Sequence, residues 1–270
     1  MEDKKIRNPF PSLGKVFKYE FLNSYRVLLP IYAAVLVVAL LAGVFILGPE
    51  IKNEFIDAAS STAPSWFKGL LGFLCVVVYI ASFAVTLVYL EKRFKHGMLG
   101  DEAYLNMSLP VTVGEHVWGR ALVAFVWSLI YTVIIALSVI LLFIRVLDSE
   151  TIGYIIDALM DEDFSISFMF AMICFGISGF LLIVMFCYVV NAISHLAKKH
   201  RKLIEVVVAV LLIILVGHLG YSWIDSMAYN IGTTAEAASV IWLVDLMNVV
   251  YAVVFGVVTQ LILQFRMNLE

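Results

Sequence analysis

Nucleophilic and basic side chains inside apolar parts of the chain are the first candidates for chemistry. Ser178 lies in the run Gly176-Ile177-Ser178-Gly179, and His218 lies in another apolar run, which together suggest a serine nucleophile with a histidine base. Such a dyad needs the two side chains within about 3 Å of each other. At 1.5 Å per residue, Ser178 would lie roughly 18 Å below the outer end of its helix and His218 roughly 9 Å. We therefore predict no catalytic residue in this chain.

Asp245 is the only acid deep within an apolar run. A charge at the centre of a bilayer costs at least about 2.5 to 3.5 kcal/mol, so this carboxylate needs a partner or water. His218 and Asp245 lie at similar distances from the outer ends of their runs. We predict a polar contact among His218, Asp245 and Asn248, which would act as a structural clasp or, alternatively, as a proton relay.

The composition indicates a membrane protein. Of the 270 residues, 63% are hydrophobic and 14% are charged, against roughly 45–50% and about 25% in soluble domains. The net charge of −3 argues against a nucleic-acid partner, which favours a basic protein. Cys75, Cys174 and Cys187 lie in apolar runs without metal-ligand spacing, so we expect no metal site.

Six apolar segments are long enough to cross a bilayer, which takes about 20 residues of helix. All must be helical, because hydrocarbon offers backbone groups no partner. We predict an all-α integral membrane protein, with residues 1–27 as a cytoplasmic N-terminus and residues 28–270 as the transmembrane domain. The predicted spans are residues 28–47, 70–90, 121–144, 166–190, 203–224 and 240–263.

The positions of Lys and Arg orient these spans, because such residues are retained on the cytoplasmic side. Of the 18 Lys and Arg residues, only Lys52, Lys68 and Arg145 fall in the loops predicted to lie outside. The other fifteen precede span 1, follow span 6, or lie between spans 2 and 3 and between spans 4 and 5. Both termini are therefore predicted to be cytoplasmic, with the bilayer as an obligatory partner.

The N-terminal segment has the pattern of an amphipathic helix in the membrane interface. Apolar residues recur there at helical spacing, with lysines off that face. These apolar residues are Leu13, Val16, Phe17, Phe21 and Tyr25. Glu20 and Ser24 interrupt the apolar stripe.

The loop between spans 2 and 3 carries signals for a short helix between two turns. Gly100-Asp101-Glu102 can start it, and Leu109-Pro110 should end it, because the residue before proline avoids the helical conformation. Thr112 and Glu115 have capping-box spacing and should open the helix that leads into span 3.

Span 2 places small and polar residues along one helical face. They are Gly72, Cys75, Tyr79, Ser82, Thr86 and Tyr89. Close helix packing with weak interhelical hydrogen bonds accounts for such a face.

The loop sequence resembles one protein family. Residues 93–105 read R-F-K-H-G-M-L-G-D-E-A-Y-L and residues 108–111 read S-L-P-V. The loop between spans 2 and 3 of bacterial type 2 ATP-binding-cassette (ABC) exporter permeases is similar, with G-D-E-x-Y-L followed by T/S-L-P-V. Ala103 departs from the pattern, in which glycine is expected. The six-span plan extends the resemblance over the whole chain, but only this loop is specific.

The resemblance implies a coupling helix that docks into a groove of a separate ATPase subunit. The residues implied are Gly100, Asp101, Glu102, Tyr104, Leu105, Leu109 and Pro110. It also implies a second permease half, either another copy or a sister chain, and a substrate cavity to which Tyr79, Ser82 and Thr86 of span 2 would contribute.

The chain lacks G-x-x-x-x-G-K-[ST], so ATP and Mg²⁺ are expected on the partner and no cofactor on this chain. The expected function is export of an unknown substrate across the bacterial plasma membrane by alternating access, with no enzymatic step on this chain. The alternative is an ATPase-independent six-span transporter or a sensory or resistance membrane protein. A rhomboid-like protease, suggested by the G-x-S-G run, is disfavoured by the depths of Ser178 and His218.

Overall fold

The computed structural model describes residues 10–45, 65–100, 102–108, 111–143, 166–197, 199–228 and 234–265. Apart from a few residues at helix ends, these residues form α-helices, and the described ranges contain no strand. The helices are α1 Phe10–Phe45, α2 Ser65–Leu99, α3 Glu102–Ser108, α4 Val113–Leu142, α5 Ile166–His195, α6 Arg201–Ala228 and α7 Thr234–Phe265.

Six of these helices are long and apolar enough to cross a membrane. They are all the helices except α3, and they correspond one for one to the six predicted spans. The all-α class and the presence of six helices long and apolar enough to span a membrane are therefore confirmed in the described residues. α3 and the capping box at the start of α4 are confirmed as well.

The helices run past the ends predicted for the spans. α2 continues from residue 90 to Leu99, α4 begins at Val113 instead of residue 121, and α7 begins at Thr234 instead of residue 240. The length of an apolar run in the sequence reflects the thickness of the hydrocarbon layer of the bilayer. A helix continues beyond that layer wherever its polar residues find partners on neighbouring helices.

α1 is one continuous helix through Pro30, and no helix end falls between residues 27 and 28. Its buried face recurs every three or four residues and consists of Glu20, Ser24, Leu28, Tyr32, Val35, Ala39 and Ala42. The two polar residues that were expected to interrupt the apolar stripe therefore lie on the buried face. Tyr25, which was assigned to the stripe, is exposed.

The most extensive helix contacts join α5 to α7 and α1 to α4. Phe94 of α2 stacks on Tyr188 of α5 with ring centroids 4.0 Å apart, and both side chains are buried. α6 lies at the periphery, because no residue in its most apolar window is buried.

Contacts between helices show which helix ends lie at the same end of the bundle. Lys95 near the end of α2 lies 3.4 Å from Glu205 near the start of α6. Asn191 near the end of α5 donates to Glu91 of α2 over 3.1 Å. The ends of α2 and α5 therefore lie together with the starts of α4 and α6. α3 lies at this same end, which we call the α3 end.

Candidate functional site

α3 presents two large apolar side chains at the α3 end. Tyr104 is 70% exposed and Leu105 is 67% exposed, whereas Ala103 between Glu102 and Tyr104 is 2% exposed. The Ala103 backbone amide donates to the Gly100 carbonyl over 2.9 Å, which closes the turn into the helix. Exposed aromatic and aliphatic residues on a rigid support are typical of anchors for a protein partner.

Glu102, Tyr104 and Leu105 lie on the short helix α3, and Gly100 lies in the turn that precedes it. Asp101, Leu109 and Pro110 lie outside the described residues. The burial of the Ala103 methyl group shows that the position where glycine was expected has room for a Cβ.

The start of α4 is fixed by the capping box. The Thr112 hydroxyl accepts from the Glu115 amide over 3.3 Å, and the Glu115 carboxylate accepts from the Thr112 amide over 2.6 Å. Both contacts satisfy amides that the first turn of a helix leaves unpaired. The capping box sets the direction of the chain as it leaves α3.

Asn106 ties α3 to both flanking helices. Its side-chain amide donates to the Gly97 carbonyl of α2 over 2.7 Å. Its own carbonyl lies 3.2 Å from Nε2 of His116 on α4. A carbonyl only accepts, so the proton of this contact resides on His116 Nε2.

Beside α3 lies a buried ion cluster formed by Glu20, Arg93 and Arg120, which we call the Glu20 cluster. Arg93 Nε lies 2.9 Å from Glu20 Oε2. Arg120 Nη2 and Nε lie 2.8 and 2.9 Å from Glu20 Oε1. Glu20 is 8% exposed and Arg120 is 4% exposed. Arg93 also lies 3.7 Å from Glu102, so the cluster reaches α3 itself.

The Glu20 cluster was not predicted from the sequence. Arg93 and Arg120 fall among the charges assigned to the loop, and Glu20 interrupts the apolar stripe of the N-terminal segment. One signal was available, since Glu20, Ser24 and Leu28 follow one another at spacings of four and so share a helical face. An acid on a face that becomes buried requires a cation, although the sequence does not say which one.

The polar face of α2 is packed within the chain. The Thr86 hydroxyl lies 3.1 Å from the Tyr32 hydroxyl of α1. The Tyr79 hydroxyl donates to Ser138 of α4 over 3.1 Å, and Ser82 lies 3.3 Å from the Tyr131 hydroxyl. Ser82 and Thr86 are buried in this interface. A role in lining a substrate cavity therefore requires α2 to separate from α1 and α4.

Asp245 and Asn248 are brought together, as predicted, but through Ser178 of α5. The Ser178 hydroxyl donates to Asp245 Oδ1 over 2.8 Å and accepts from the Asn248 amide over 3.2 Å. Asp245 is 6% exposed, and its Oδ2 atom has no hydrogen-bond partner among the described residues.

His218 is not part of this contact, because its side chain is exposed on α6. The prediction paired Asp245 with His218 because it placed the start of span 6 at residue 240, whereas α7 begins at Thr234. Ser178 lies about three turns past Ile166, and Asp245 lies about three turns past Thr234, so the two are at equal depth. With Ser178 bound to a carboxylate and an amide, the arrangement also lacks a serine–histidine dyad.

No protein-family model, curated protein or solved structure matches this chain. The described residues form six helices long and apolar enough to cross a membrane and one short helix at one end of the bundle. That short helix exposes Tyr104 and Leu105, and its Glu102 and Asn106 contact the neighbouring helix α2.

Proposed function

We propose that this chain is the permease subunit of an ATP-binding-cassette exporter, with α3 as its coupling helix. The observation that carries the proposal is the exposure of Tyr104 and Leu105 on a braced seven-residue helix. That helix has the sequence in which the resemblance to type 2 exporter permeases is specific.

In this function the ATPase is a separate protein that binds ATP and Mg²⁺. Closure of two ATPase subunits displaces α3, and the displacement reaches the membrane helices through the attachments of Asn106 and Glu102 to their neighbours. Two permease halves then expose an internal cavity alternately to the two sides of the membrane. The substrate leaves the cell without a covalent step on this chain.

The α3 end faces the cytoplasm in this proposal. The described residues at that end include Lys92, Arg93, Lys95, Arg201 and Lys202. Retention of such residues on the cytoplasmic side supports this orientation, in which both termini of the chain lie on the cytoplasmic side of the bacterial plasma membrane.

The test is association with an ATP-binding-cassette ATPase from the same cell. The chain, purified from its native membrane with a mild detergent, should retain such an ATPase, and Tyr104→Ala and Leu105→Ala should each weaken the complex at least about tenfold. Tyr19→Ala is the matched control, because Tyr19 is 71% exposed on a different helix, α1. It should leave the complex intact.

An ATPase-independent transporter or a sensory membrane protein gives the opposite result. In that case no ATP-binding-cassette protein co-purifies, and Tyr104→Ala has no more effect than Tyr19→Ala. Either finding would refute the proposed function.

A further inference from the structure

α3 cannot hold its own position. It has seven residues, and isolated helices shorter than about 12 to 15 residues are marginal in water. Among residues 102–106, whose exposure the structure describes, only Ala103 is buried. In these five residues apolar burial is limited to one methyl group, so polar contacts to neighbouring helices hold this part of α3.

Two series of contacts lead from α3 to the Glu20 cluster, one through ion pairs and the other through the packing of Arg120 against Gly97. In the first, Glu102 lies 3.7 Å from Arg93, and Arg93 lies 2.9 Å from Glu20 Oε2. In the second, Asn106 donates to the Gly97 carbonyl over 2.7 Å. The Arg120 guanidinium packs directly against Gly97 and binds Glu20 Oε1 over 2.8 Å. The two series thus end on the two oxygens of one carboxylate.

Glu20 is the only acid within salt-bridge distance of both arginines in the described part of the chain. Loss of its charge would leave two guanidinium groups close together in a setting of low dielectric, where like charges repel strongly. Arg93 would then have only Glu102 as an acidic partner among the described residues and would no longer be tied to α1, so α3 would lose its attachment to that helix.

We propose that Glu20 is a positioning residue for α3. Through Arg93 and Arg120, Glu20 fixes α3 relative to α1, α2 and α4. A displacement of α3 therefore moves α1 as well. This role rests on the proposed function in one respect, because α3 is the helix proposed to contact the ATPase. The positioning itself is a property of this chain alone.

The test is hydrogen exchange, followed by mass spectrometry, on the full chain in detergent micelles without an ATPase. Glu20→Gln keeps the size of the side chain and removes its charge. Arg93→Lys keeps the positive charge but removes the planar group that reaches both carboxylates. In both variants the amides of residues 103–108 should exchange about tenfold faster than in the parent protein. Glu20→Asp retains the charge and should restore much of the protection.

The matched control is Glu205→Gln, which removes another ion pair at the α3 end, between Lys95 and Glu205. It should leave exchange in residues 103–108 unchanged. Unchanged exchange of α3 in Glu20→Gln overturns the proposal, as does an equal acceleration in Glu205→Gln. If Glu20→Gln yields only aggregated protein, Arg93→Lys decides, because Arg93 has a side chain 30% exposed and its replacement keeps the charge.

The failure of this proposal can be distinguished from failure of the proposed function. Faster exchange of α3 in Glu20→Gln without any ATPase in the purified complex would retain the positioning role and refute the exporter. An ATPase that co-purifies and is lost in Tyr104→Ala, together with unchanged exchange in Glu20→Gln and Arg93→Lys, would retain the exporter and refute the positioning role.

Discussion

At the scale of residues, the chain places its few intramembrane polar groups in contact with one another. Asp245 was recognisable from the sequence as an acid that needs a partner. Its true partner was not, because Ser178 lies 67 positions away and is one of several hydroxyls in apolar runs. The local sequence shows that Asp245 needs a partner, whereas the packing of α5 against α7 determines which residue that partner is.

Ser178 and Asp245 should therefore be energetically coupled, and His218 and Asp245 should not. Ser178→Ala removes the donor of a buried hydrogen bond to a carboxylate, and we expect a loss of about 1 to 3 kcal/mol in stability. A double-mutant cycle of Ser178→Ala with Asp245→Asn, read as thermal unfolding in micelles, should give a coupling of about 1 kcal/mol. The same cycle with His218→Ala should give none.

Ser222→Ala is the matched control for the loss of a hydroxyl. Ser222 lies exposed on α6, and its hydroxyl donates to the backbone carbonyl of Leu219 within the same helix. Its replacement should leave the unfolding temperature unchanged. A larger coupling for His218 than for Ser178 would contradict the arrangement of α5, α6 and α7 described above.

At the scale of elements, features that depend on contacts between residues close in the sequence could be predicted, and features that depend on residues far apart in the sequence could not. The start of α4 could be predicted because the capping box joins residues three positions apart, Thr112 and Glu115. α3 could be predicted because its start and end signals are local. The burial of Glu20 on α1 could not, because its partners lie 73 and 100 positions away, in α2 and α4.

The packing of α2 against α4 gives a prediction about glycine. A Cβ on Gly97 would overlap the guanidinium of Arg120, which is buried and bound to Glu20. Gly97→Ala should therefore lower the stability by about 1 to 2 kcal/mol, since either the ion pair or the helix packing must shift. The measurement is the unfolding temperature of the purified protein.

Gly14→Ala is the control, and it should change the stability in the opposite direction. Gly14 lies on the same kind of helix, and no atom is within 4 Å of the place where its Cβ would be. Alanine there should gain up to about 1 kcal/mol from helix propensity alone. Equal effects at the two positions would show that Arg120 does not occupy the space beside Gly97.

At the scale of the whole molecule, the number of spans could be predicted from composition because the bilayer imposes a length on every apolar helix. How those helices pack could not, since apolar residues face both lipid and neighbouring helices and hydropathy does not separate the two. The residues of α6 illustrate the ambiguity. Its sequence is as apolar as that of the other spans, yet its most apolar window contains no buried residue.

The orientation of the bundle is a prediction for the whole molecule. Leu203 at the α3 end and Ile166 at the opposite end are both well exposed, at 63% and 69%. Each can carry a single cysteine once Cys75, Cys174 and Cys187 are replaced by alanine. A membrane-impermeant maleimide added to intact cells should label Ile166→Cys and should leave Leu203→Cys unlabelled until the membrane is opened. The reason is that the α3 end holds Arg201 and Lys202, whose transfer across the bilayer is costly. Labelling of Leu203→Cys in intact cells would place α3 outside, where no cytoplasmic ATPase could reach Tyr104, and would refute the orientation and the proposed function together.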